Sequence, residues 1–156
     1  MTLKELRISK KLTQQQVADM VGVSLRSYKQ YENEEDKRDT IKYKYIFDQL
    51  QKYGYIDETT GILDIETIKR IISEVFKLYP VEYCYLFGSY STNEAREDSD
   101  VDLLVSTEIT GMDFYGLAET LREKLHKKVD LLNTEQLTNN NKLLDEVLKK
   151  GIKIYG

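Results

Sequence analysis

The sequence has few of the residues that cross-link or kink a chain. Cys84 is the only cysteine among 156 residues, so no internal disulfide can form, which agrees with a reducing compartment. Pro80 is the only proline, and there is neither a low-complexity linker nor an internal repeat. The single histidine, His126, comes after a stretch rich in lysine and glutamate. We therefore expect it on the surface and not as a metal ligand.

Long apolar runs are also absent. No stretch approaches the roughly 18 apolar residues that a membrane helix requires. Residues 1–11 have no apolar core of the kind found in signal peptides and already show a helical pattern. Hydrophobic residues make up 40% of the chain and charged residues 32%, as in globular domains. These features predict a cytosolic protein without membrane contact, built as one ordinary domain or two small ones.

The charge is divided unevenly along the chain. The net charge of −4 argues against a protein that binds nucleic acid over its whole surface. Residues 1–50 carry ten basic and eight acidic side chains, whereas residues 51–156 carry 13 and 19. The acidic rear part fits metal binding or a basic partner. The weakly basic front part predicts a local DNA contact that requires a dimer.

The front part of the sequence predicts four short helices. Thr13, with Gln16 three residues later, forms the capping-box pattern that begins a helix. Gly22 stands where a helix end requires a left-handed residue, and Ser24 is a good cap for the next helix. A fourth helix is predicted over residues 41–53. The front part therefore predicts a helical domain.

The pattern changes after a break at residues 54–61, where we expect the domain boundary. Apolar residues at helical spacing predict a helix over 65–79. Short apolar runs then predict strands that alternate with helices: strands at 81–87, 101–106, 128–132 and 152–155, and helices at 112–126 and 134–149. This alternation predicts an α/β or α+β domain with a small mixed central sheet over residues 62–156, behind a helical domain over residues 1–55.

A glycine and a serine mark the end of the first predicted strand. Gly88 and Ser89 come directly after this strand and precede a short helical segment. Main-chain N–H groups at such a turn point outward and attract anions. The glycine lets a phosphate approach the backbone, and the serine hydroxyl adds a donor. A Gly-Ser pair alone is weak evidence for a phosphate site and needs support from neighbouring residues.

Two aspartates begin the second predicted strand. Asp100 and Asp102 are two residues apart and therefore point to the same face. Two carboxylates beside an apolar strand cost free energy unless a positive charge compensates them, and a divalent cation is a natural compensation. Asp130 lies in another apolar run and could complete a two-metal clamp for phosphoryl-type transfer. The alternative, acids that only cap the beginning of a strand, leaves Asp130 unexplained.

The spacing of these residues resembles a known signature. Gly88-Ser89, ten further residues and then Asp100-Val101-Asp102 are similar to the motif of the DNA polymerase β-like nucleotidyltransferase superfamily. Residues 64–156 resemble its minimal nucleotidyltransferase (MNT) branch. The resemblance implies that Asp100, Asp102 and Asp130 hold two Mg²⁺ ions and that Gly88 and Ser89 bind the β and γ phosphates of ATP. It also implies that Asp130 helps to activate an acceptor hydroxyl.

One segment departs from that pattern. Relatives often carry Ala-Arg-Gly where this sequence has Ser91, Thr92 and Asn93. The missing arginine removes a phosphate contact, which puts nucleotide affinity and rate in doubt. Arg96 is our candidate for the replacement in nucleotide binding, with Lys69 as a second choice.

Residues 2–33 resemble the Cro/C1-type helix-turn-helix. The resemblance lies in Leu-Thr-Gln-Gln-Gln-Val-Ala from residue 12, Val-Gly-Val-Ser from residue 21 and the segment 28–33. In this family the helix that begins at the position of Ser24 enters the major groove, where arginine suits guanine and glutamine suits adenine. The candidates for DNA contact are Gln14, Gln15, Ser24, Arg26, Ser27, Lys29 and Gln30. The alternative is a helical packing or dimerisation module that does not bind DNA.

The resemblance also implies a function. MNT proteins commonly pair with a HEPN-domain ribonuclease, so we expect an antitoxin that transfers AMP from ATP to a tyrosine of that toxin. The helix-turn-helix would repress the operon, with the protein acting as a homodimer or in a hetero-oligomer with the toxin. Two alternatives stay open. One is a DNA-binding regulator with an inactive nucleotidyltransferase fold, which Thr92 favours. The other is a small-molecule nucleotidyltransferase, for which the chain has no acceptor-binding domain to spare.

Overall fold

The protein consists of two compact units. The computed structural model describes residues 1–156 and divides them into a front unit, Met1–Tyr55, and a rear unit, Ile56–Gly156. The front unit is helical, and the rear unit contains four strands and three α-helices. None of the seven α-helices combines the length and the apolar character needed to cross a membrane. The predicted fold class, a helical domain followed by an α/β domain, is confirmed.

Capping residues set the helix boundaries in the front unit. Its elements are α1 (Leu3–Ser9), α2 (Gln14–Val21), α3 (Leu25–Asn33), a 3-10 turn (Glu35–Lys37) and α4 (Ile41–Lys52). The Thr13 hydroxyl accepts a hydrogen bond from the Gln16 N–H, and the Gln16 side chain accepts one from the Thr13 N–H. Gly22 has a φ of 74°, and the Ser24 hydroxyl caps α3. The predicted capping box and both predicted helix ends are confirmed.

A buried ion pair joins the helices of the front unit. Arg7 Nε lies 3.0 Å from Glu32 Oε1, and the Glu32 side chain is 0% exposed. Arg7 Nη1 also donates to the Leu12 carbonyl at 2.9 Å, and Gln14 Nε2 donates to Glu32 Oε2 at 2.9 Å. The Glu32 charge is therefore compensated by a guanidinium and by an amide, inside a core formed by α1 to α4.

The rear unit agrees with the predicted alternation, with one exception. Its elements are α5 (Ile65–Phe76), β1 (Val81–Phe87), a 3-10 turn (Gly88–Tyr90), β2 (Val101–Thr107), α6 (Gly111–Leu125), β3 (Val129–Asn133), a 3-10 turn (Thr134–Leu137), α7 (Asn141–Lys150) and β4 (Ile152–Tyr155). The continuous helix predicted over 134–149 is wrong in its first part. The Asn133 N–H donates to Gln136 Oε1 at 2.8 Å in the capping box of the 3-10 turn, and Asn140 Oδ1 accepts from the Leu143 N–H to begin α7. Asparagine favours such caps over helix interiors.

The four strands form one mixed sheet in the order β3-β2-β1-β4. β1 pairs antiparallel with β2 and β4, whereas β2 and β3 are parallel. In this register Asp102 of β2 lies beside Asp130 of β3 and beside Phe87, the last residue of β1.

The two faces of the sheet are covered by different helices. Val101, Leu103 and Val105 of β2 belong to the core that includes buried residues of α5 and α6. Leu104 instead packs in a smaller cluster with Val147 of α7. Since successive side chains of a strand point to opposite faces, Asp102 shares the α7 side of the sheet with Leu104.

Candidate functional site

The structure brings the three sequence-predicted acids together. Asp102 and Asp130 are register neighbours on two parallel strands, so both point to the α7 side of the sheet. Asp100 lies one residue before β2. The Asp102 side chain is half-buried, whereas Asp100 and Asp130 are exposed. The three carboxylates therefore border one open surface where β2 and β3 begin.

This surface has negative charge without an internal cation. Burial raises the pKa of the Asp102 carboxyl from 3.8 to about 6, and the negative charges of Asp130, Asp100 and Glu146 add to the effect in that order. None of these four acids takes part in an ion pair, although seven ion pairs occur elsewhere in the chain. The charge of these acids is therefore not balanced by an ion pair within the chain.

Glu146 is a member of this acid cluster that the sequence pattern does not reveal. It lies on α7 directly before Val147, the one buried residue of that helix, and is itself exposed. Only the packing of α7 on the sheet brings Glu146 near Asp102. The amphipathic pattern of α7 could have placed Glu146 at the border of the buried stripe, but not beside a particular strand.

The donor set fits a divalent cation that the protein shares with a bound nucleotide. No group of three histidine, cysteine or carboxylate side chains is close enough to hold a metal ion by itself. Mg²⁺, however, commonly takes only one or two carboxylates and completes its shell with water and substrate phosphates. Asp100 and Asp102 supply the two carboxylates that such a site would use. Direct metal contacts of Asp100, Asp102 and Asp130 stay predictions.

The Gly88 turn lies directly against the acid cluster. Gly88 has a φ of 71°, and a Cβ atom at this position would collide with the Asp102 carboxylate. Only glycine therefore allows the chain to turn at the end of β1 while Asp102 keeps its place. A phosphate bound to the N–H groups of this turn would lie next to the aspartates.

The segment after the turn keeps its shape without the arginine of the relatives. The Ser91 hydroxyl donates to the Gly88 carbonyl at 2.8 Å, and the Thr92 hydroxyl lies 3.4 Å from the Ser89 carbonyl. Asn93 has a φ of 60°, a left-handed conformation that glycine and asparagine adopt more readily than other residues. Asn93 can therefore replace the glycine of the relatives, while the Thr92 hydroxyl contributes a contact to the backbone of the turn.

The two candidate replacements for the missing arginine differ in their surroundings. Arg96 is exposed, forms no ion pair and lies in the loop that leads to Asp100. Lys69 pairs with Glu66 within α5, at 3.7 Å. Arg96 is therefore the candidate without an ion-pair partner inside the chain.

The DNA-contact candidates fall into two groups. Arg26, Lys29 and Gln30 have helical spacing of three and four residues, which puts them on one face of α3, with Arg26 and Lys29 exposed. Ser27 is half-buried on the same helix, and its N–H donates to the Ser24 hydroxyl at 3.1 Å. The exposed face of α3 is therefore polar and basic.

The other candidates are engaged in hydrogen bonds within the chain. The Gln14 amide donates to buried Glu32, and the Gln15 amide donates to Asp19 at 2.8 Å. Ser24 uses its hydroxyl as the cap of α3. These three side chains thus have a structural role in addition to any contact with DNA.

Comparison with known families agrees with this division of the chain. The family described as "Polymerase beta, Nucleotidyltransferase" matches residues 66–156. The family described as "Helix-turn-helix" matches residues 3–40.

Individual relatives match the rear part of the chain. A protein of Methanocaldococcus jannaschii named "Putative protein adenylyltransferase MJ0435" is 32% identical over 94 residues, which are 59% of this chain and 99% of the relative. The protein adenylyltransferase MntA of Thermococcus cleftensis is 37% identical over 83 residues, or 49% of this chain and 84% of the relative. A crystal structure of a toxin-antitoxin with AMP-PNP matches with a TM-score of 0.50 and 25% identity, over 56% of this chain and 73% of that chain.

Proposed function

Since the chain belongs to the polymerase β-type nucleotidyltransferase family, we propose that its rear unit transfers AMP from ATP to a tyrosine of a HEPN-type ribonuclease toxin and so acts as its antitoxin. One observation carries this proposal. The Asp102 carboxyl is surrounded by like charges and touches a glycine turn suited to phosphate, so a metal–nucleotide complex complements both features. The relatives named protein adenylyltransferases and the similar toxin-antitoxin with an ATP analogue support the choice of substrate.

Different groups of the rear unit would bind the metal ion and the phosphates of the nucleotide. Asp100 and Asp102 would hold Mg²⁺, which supplies charge stabilisation and orientation when it is bound. The N–H groups of the Gly88–Tyr90 turn and the Ser89 hydroxyl would bind the β and γ phosphates. Arg96, which is exposed and forms no ion pair, would contact the bound phosphates in place of the missing arginine.

The transfer step requires a proton acceptor near the tyrosine. The phenolic oxygen would attack the α-phosphorus of ATP, the bond from that phosphorus to the β-phosphate oxygen would break, and pyrophosphate would leave. Asp130 is exposed beside Asp102 on the next strand, and it would accept the phenolic proton and contact a second metal ion.

The front unit would bind the promoter of the same operon as a repressor. The exposed face of α3 with Arg26, Lys29 and Gln30 has the side chains that read guanine and adenine in the major groove. Because the unit has few excess positive charges, we expect strong binding only from a dimer that contacts two half-sites.

A transfer assay tests the enzymatic part. The purified protein is incubated with Mg²⁺, ATP labelled at the α-phosphate and the product of the neighbouring gene. We expect label on that partner with the wild type and none with the Asp100→Asn/Asp102→Asn double variant. Asp98→Asn, which removes an exposed acid outside the pair, is the matched control and should retain transfer.

The same assay separates the second candidate function. A regulator with an inactive fold is favoured by Thr92 in place of the usual arginine. It would give no label with any nucleotide while still forming a stable complex with the partner. That outcome would replace the enzymatic proposal.

A further inference from the structure

Lys127 is the only charged residue of the chain that is buried as a whole, at 0% exposure. Its Nζ donates to three main-chain carbonyls, those of Gly61 at 2.7 Å, Glu97 at 2.5 Å and Thr60 at 3.3 Å. No carboxylate forms an ion pair with it. An ammonium group has three N–H donors, so its hydrogen-bonding capacity matches this cage of carbonyls.

The position of Lys127 links it to the acid cluster. Lys127 lies between α6 and β3, three residues before Asp130, and its amino group reaches the loop 97–101 that contains Asp100. The next residue, Lys128, accepts a hydrogen bond from the Val101 N–H at 2.9 Å through its carbonyl. Two consecutive residues therefore hold that loop at both of its ends, with Asp100 in between.

A second contact joins the same two loops. The Gly61 N–H donates to Glu97 Oε1 at 3.2 Å, so segment 60–61 is tied to the loop by a side chain as well as by Lys127. Residues 60–61 and 97–100 belong to no helix or strand, so they have no hydrogen-bond ladder to hold them. Lys127 thus supplies a fixed point where regular structure supplies none.

Lysine is an energetically costly residue at the buried position 127. Burial of an amino group costs free energy that an apolar side chain of similar length would avoid. The three hydrogen bonds offset this cost, but methionine or leucine could fill the same space without it. What only the amino group provides is a directional connection to the loop that contains Asp100.

We propose that Lys127 is a positioning residue that fixes loop 97–101 and thereby holds Asp100 in register with Asp102 and Asp130. The inference rests on the proposed nucleotidyl transfer for its kinetic consequence. Its structural consequence, the order of the loop, can be measured in the absence of any reaction.

Hydrogen exchange of the full chain, measured by mass spectrometry, tests the structural consequence. Lys127→Met keeps an unbranched side chain only one atom shorter than lysine and removes all three donors. We expect exchange in segments 60–61 and 97–101 to become faster by at least about tenfold, because their anchors are lost. Leu121→Ala, which truncates a fully buried side chain in the core of the same unit, is the control and should not affect these segments selectively.

Transfer kinetics test the functional consequence. We expect Lys127→Met to lower kcat/KM for ATP by at least about tenfold while the KM for the partner protein changes by less than about threefold, since a displaced Asp100 would bind and orient the metal–nucleotide complex less well but would not contact the acceptor. Leu121→Ala should leave kcat/KM for ATP within about twofold of the wild type, at a temperature where both variants are folded.

A milder variant covers the case in which Lys127→Met does not fold. Glu97→Ala removes only the side-chain contact with Gly61, and Glu97 is exposed, so the core is spared. It should accelerate exchange in the same two segments to a smaller degree. Unchanged exchange in 97–101 in the variants that fold would overturn the inference, whatever the activity. Faster exchange in a protein whose wild type transfers no AMP would support the inference on loop order and reject the proposed function.

Discussion

Two clusters of charged side chains, one in each unit, differ in how their charge is compensated. In the front unit, buried Glu32 is paired with Arg7 and accepts a further hydrogen bond from Gln14. In the rear unit, half-buried Asp102 is surrounded by other acids and by no cation of the chain. The first cluster has its counter-charge within the fold, and the second has none there; we propose that a metal–nucleotide complex supplies it.

This difference separates a structural role from a functional one. A compensated buried charge connects helices, and its removal leaves its partner without a counter-charge. A group of acids without a counter-charge lowers the free energy of unfolding. Such a loss of stability is expected where the acids have a function, such as binding of a metal–nucleotide complex. The two clusters should therefore respond in opposite directions when one acid is neutralised.

The largest effect is expected in the front cluster. Glu32→Ala leaves the Arg7 guanidinium buried without its counter-charge and should lower the free energy of unfolding of the front unit by about 3–5 kcal/mol. Urea unfolding, monitored through the backbone amide signals of residues 1–55, measures this loss. Glu35→Ala, in the exposed 3-10 turn, is the control and should change stability by less than about 0.5 kcal/mol. A small loss with Glu32→Ala would mean that the ion pair contributes little.

The opposite sign is expected in the rear cluster. Asp102→Asn should raise the free energy of unfolding of the rear unit by about 1–3 kcal/mol at pH 7.5, because it removes a charge from among like charges. The lower part of this range allows for screening by solvent at this open surface. The same variant should be inactive in AMP transfer. A stability loss at pH 7.5 would show that the charge of Asp102 is compensated after all.

The pH dependence has its origin in the same pKa. Because the pKa of Asp102 is raised from 3.8 to about 6 in the folded protein, the folded state binds the proton more tightly than the unfolded state. The stability that the folded state gains from this tighter proton binding is fully present below about pH 4 and is lost as the pH rises through about 6. The stability gain of Asp102→Asn should therefore appear at pH 7.5 and disappear near pH 4. Chemical unfolding of both proteins across this pH range measures it.

The proposed DNA-binding face of α3 gives a third comparison, within the front unit itself. Arg26 is a cation without an internal partner, unlike Arg7, so we expect it to act on an external ligand. Arg26→Ala should weaken binding to the proposed target, the promoter of its own operon, by about 1–3 kcal/mol, or roughly 5- to 150-fold. Fluorescence anisotropy at fixed salt concentration measures the affinity. Lys42→Ala, exposed on α4, is the control, and equal losses in both variants would indicate only general charge attraction.

The smallest effect concerns Glu146. Glu146 is the last of the causes that raise the pKa of Asp102, so Glu146→Gln should lower that pKa only slightly, from about 6 toward 3.8. Carbon-13 NMR titration of the Asp102 carboxyl measures the change. Asp145→Asn, at a neighbouring position of α7 that pairs with Lys149, should not move it. A titration that is the same in both variants would place Glu146 outside the cluster.

Local signals explain how much of the fold the sequence predicts. Thr13, Gly22 and Ser24 act on their own helix ends, so their roles can be assigned from nearest neighbours alone. The apolar runs of the rear unit predict its strands with errors of a residue or two. The helix predicted from residue 134 is too long, because the caps formed by Asn133 and Asn140 divide that segment into a 3-10 turn and a shorter helix.

Contacts between distant parts of the chain explain what the sequence does not predict. Asp100, Asp102 and Asp130 can be identified because they interrupt or border apolar strands, a pattern visible in each segment. Glu146 lies on an exposed helix position, and Lys127 stands beside the chemically identical but exposed Lys128. Only the folded structure shows that one of these lysines is buried and which loop it holds.

Binding of a magnesium–nucleotide complex tests most directly whether the acids of the rear unit receive a ligand. Isothermal titration calorimetry would compare the wild-type chain with the Asp100→Asn/Asp102→Asn variant, with AMP-PNP as the titrant and Mg²⁺ in both solutions. We predict that the wild type binds and that the double variant binds at least about tenfold more weakly, although it is the more stable protein without ligand. Equal affinity in both proteins would contradict the claim that the uncompensated acids of the rear unit exist to receive a metal-bound nucleotide.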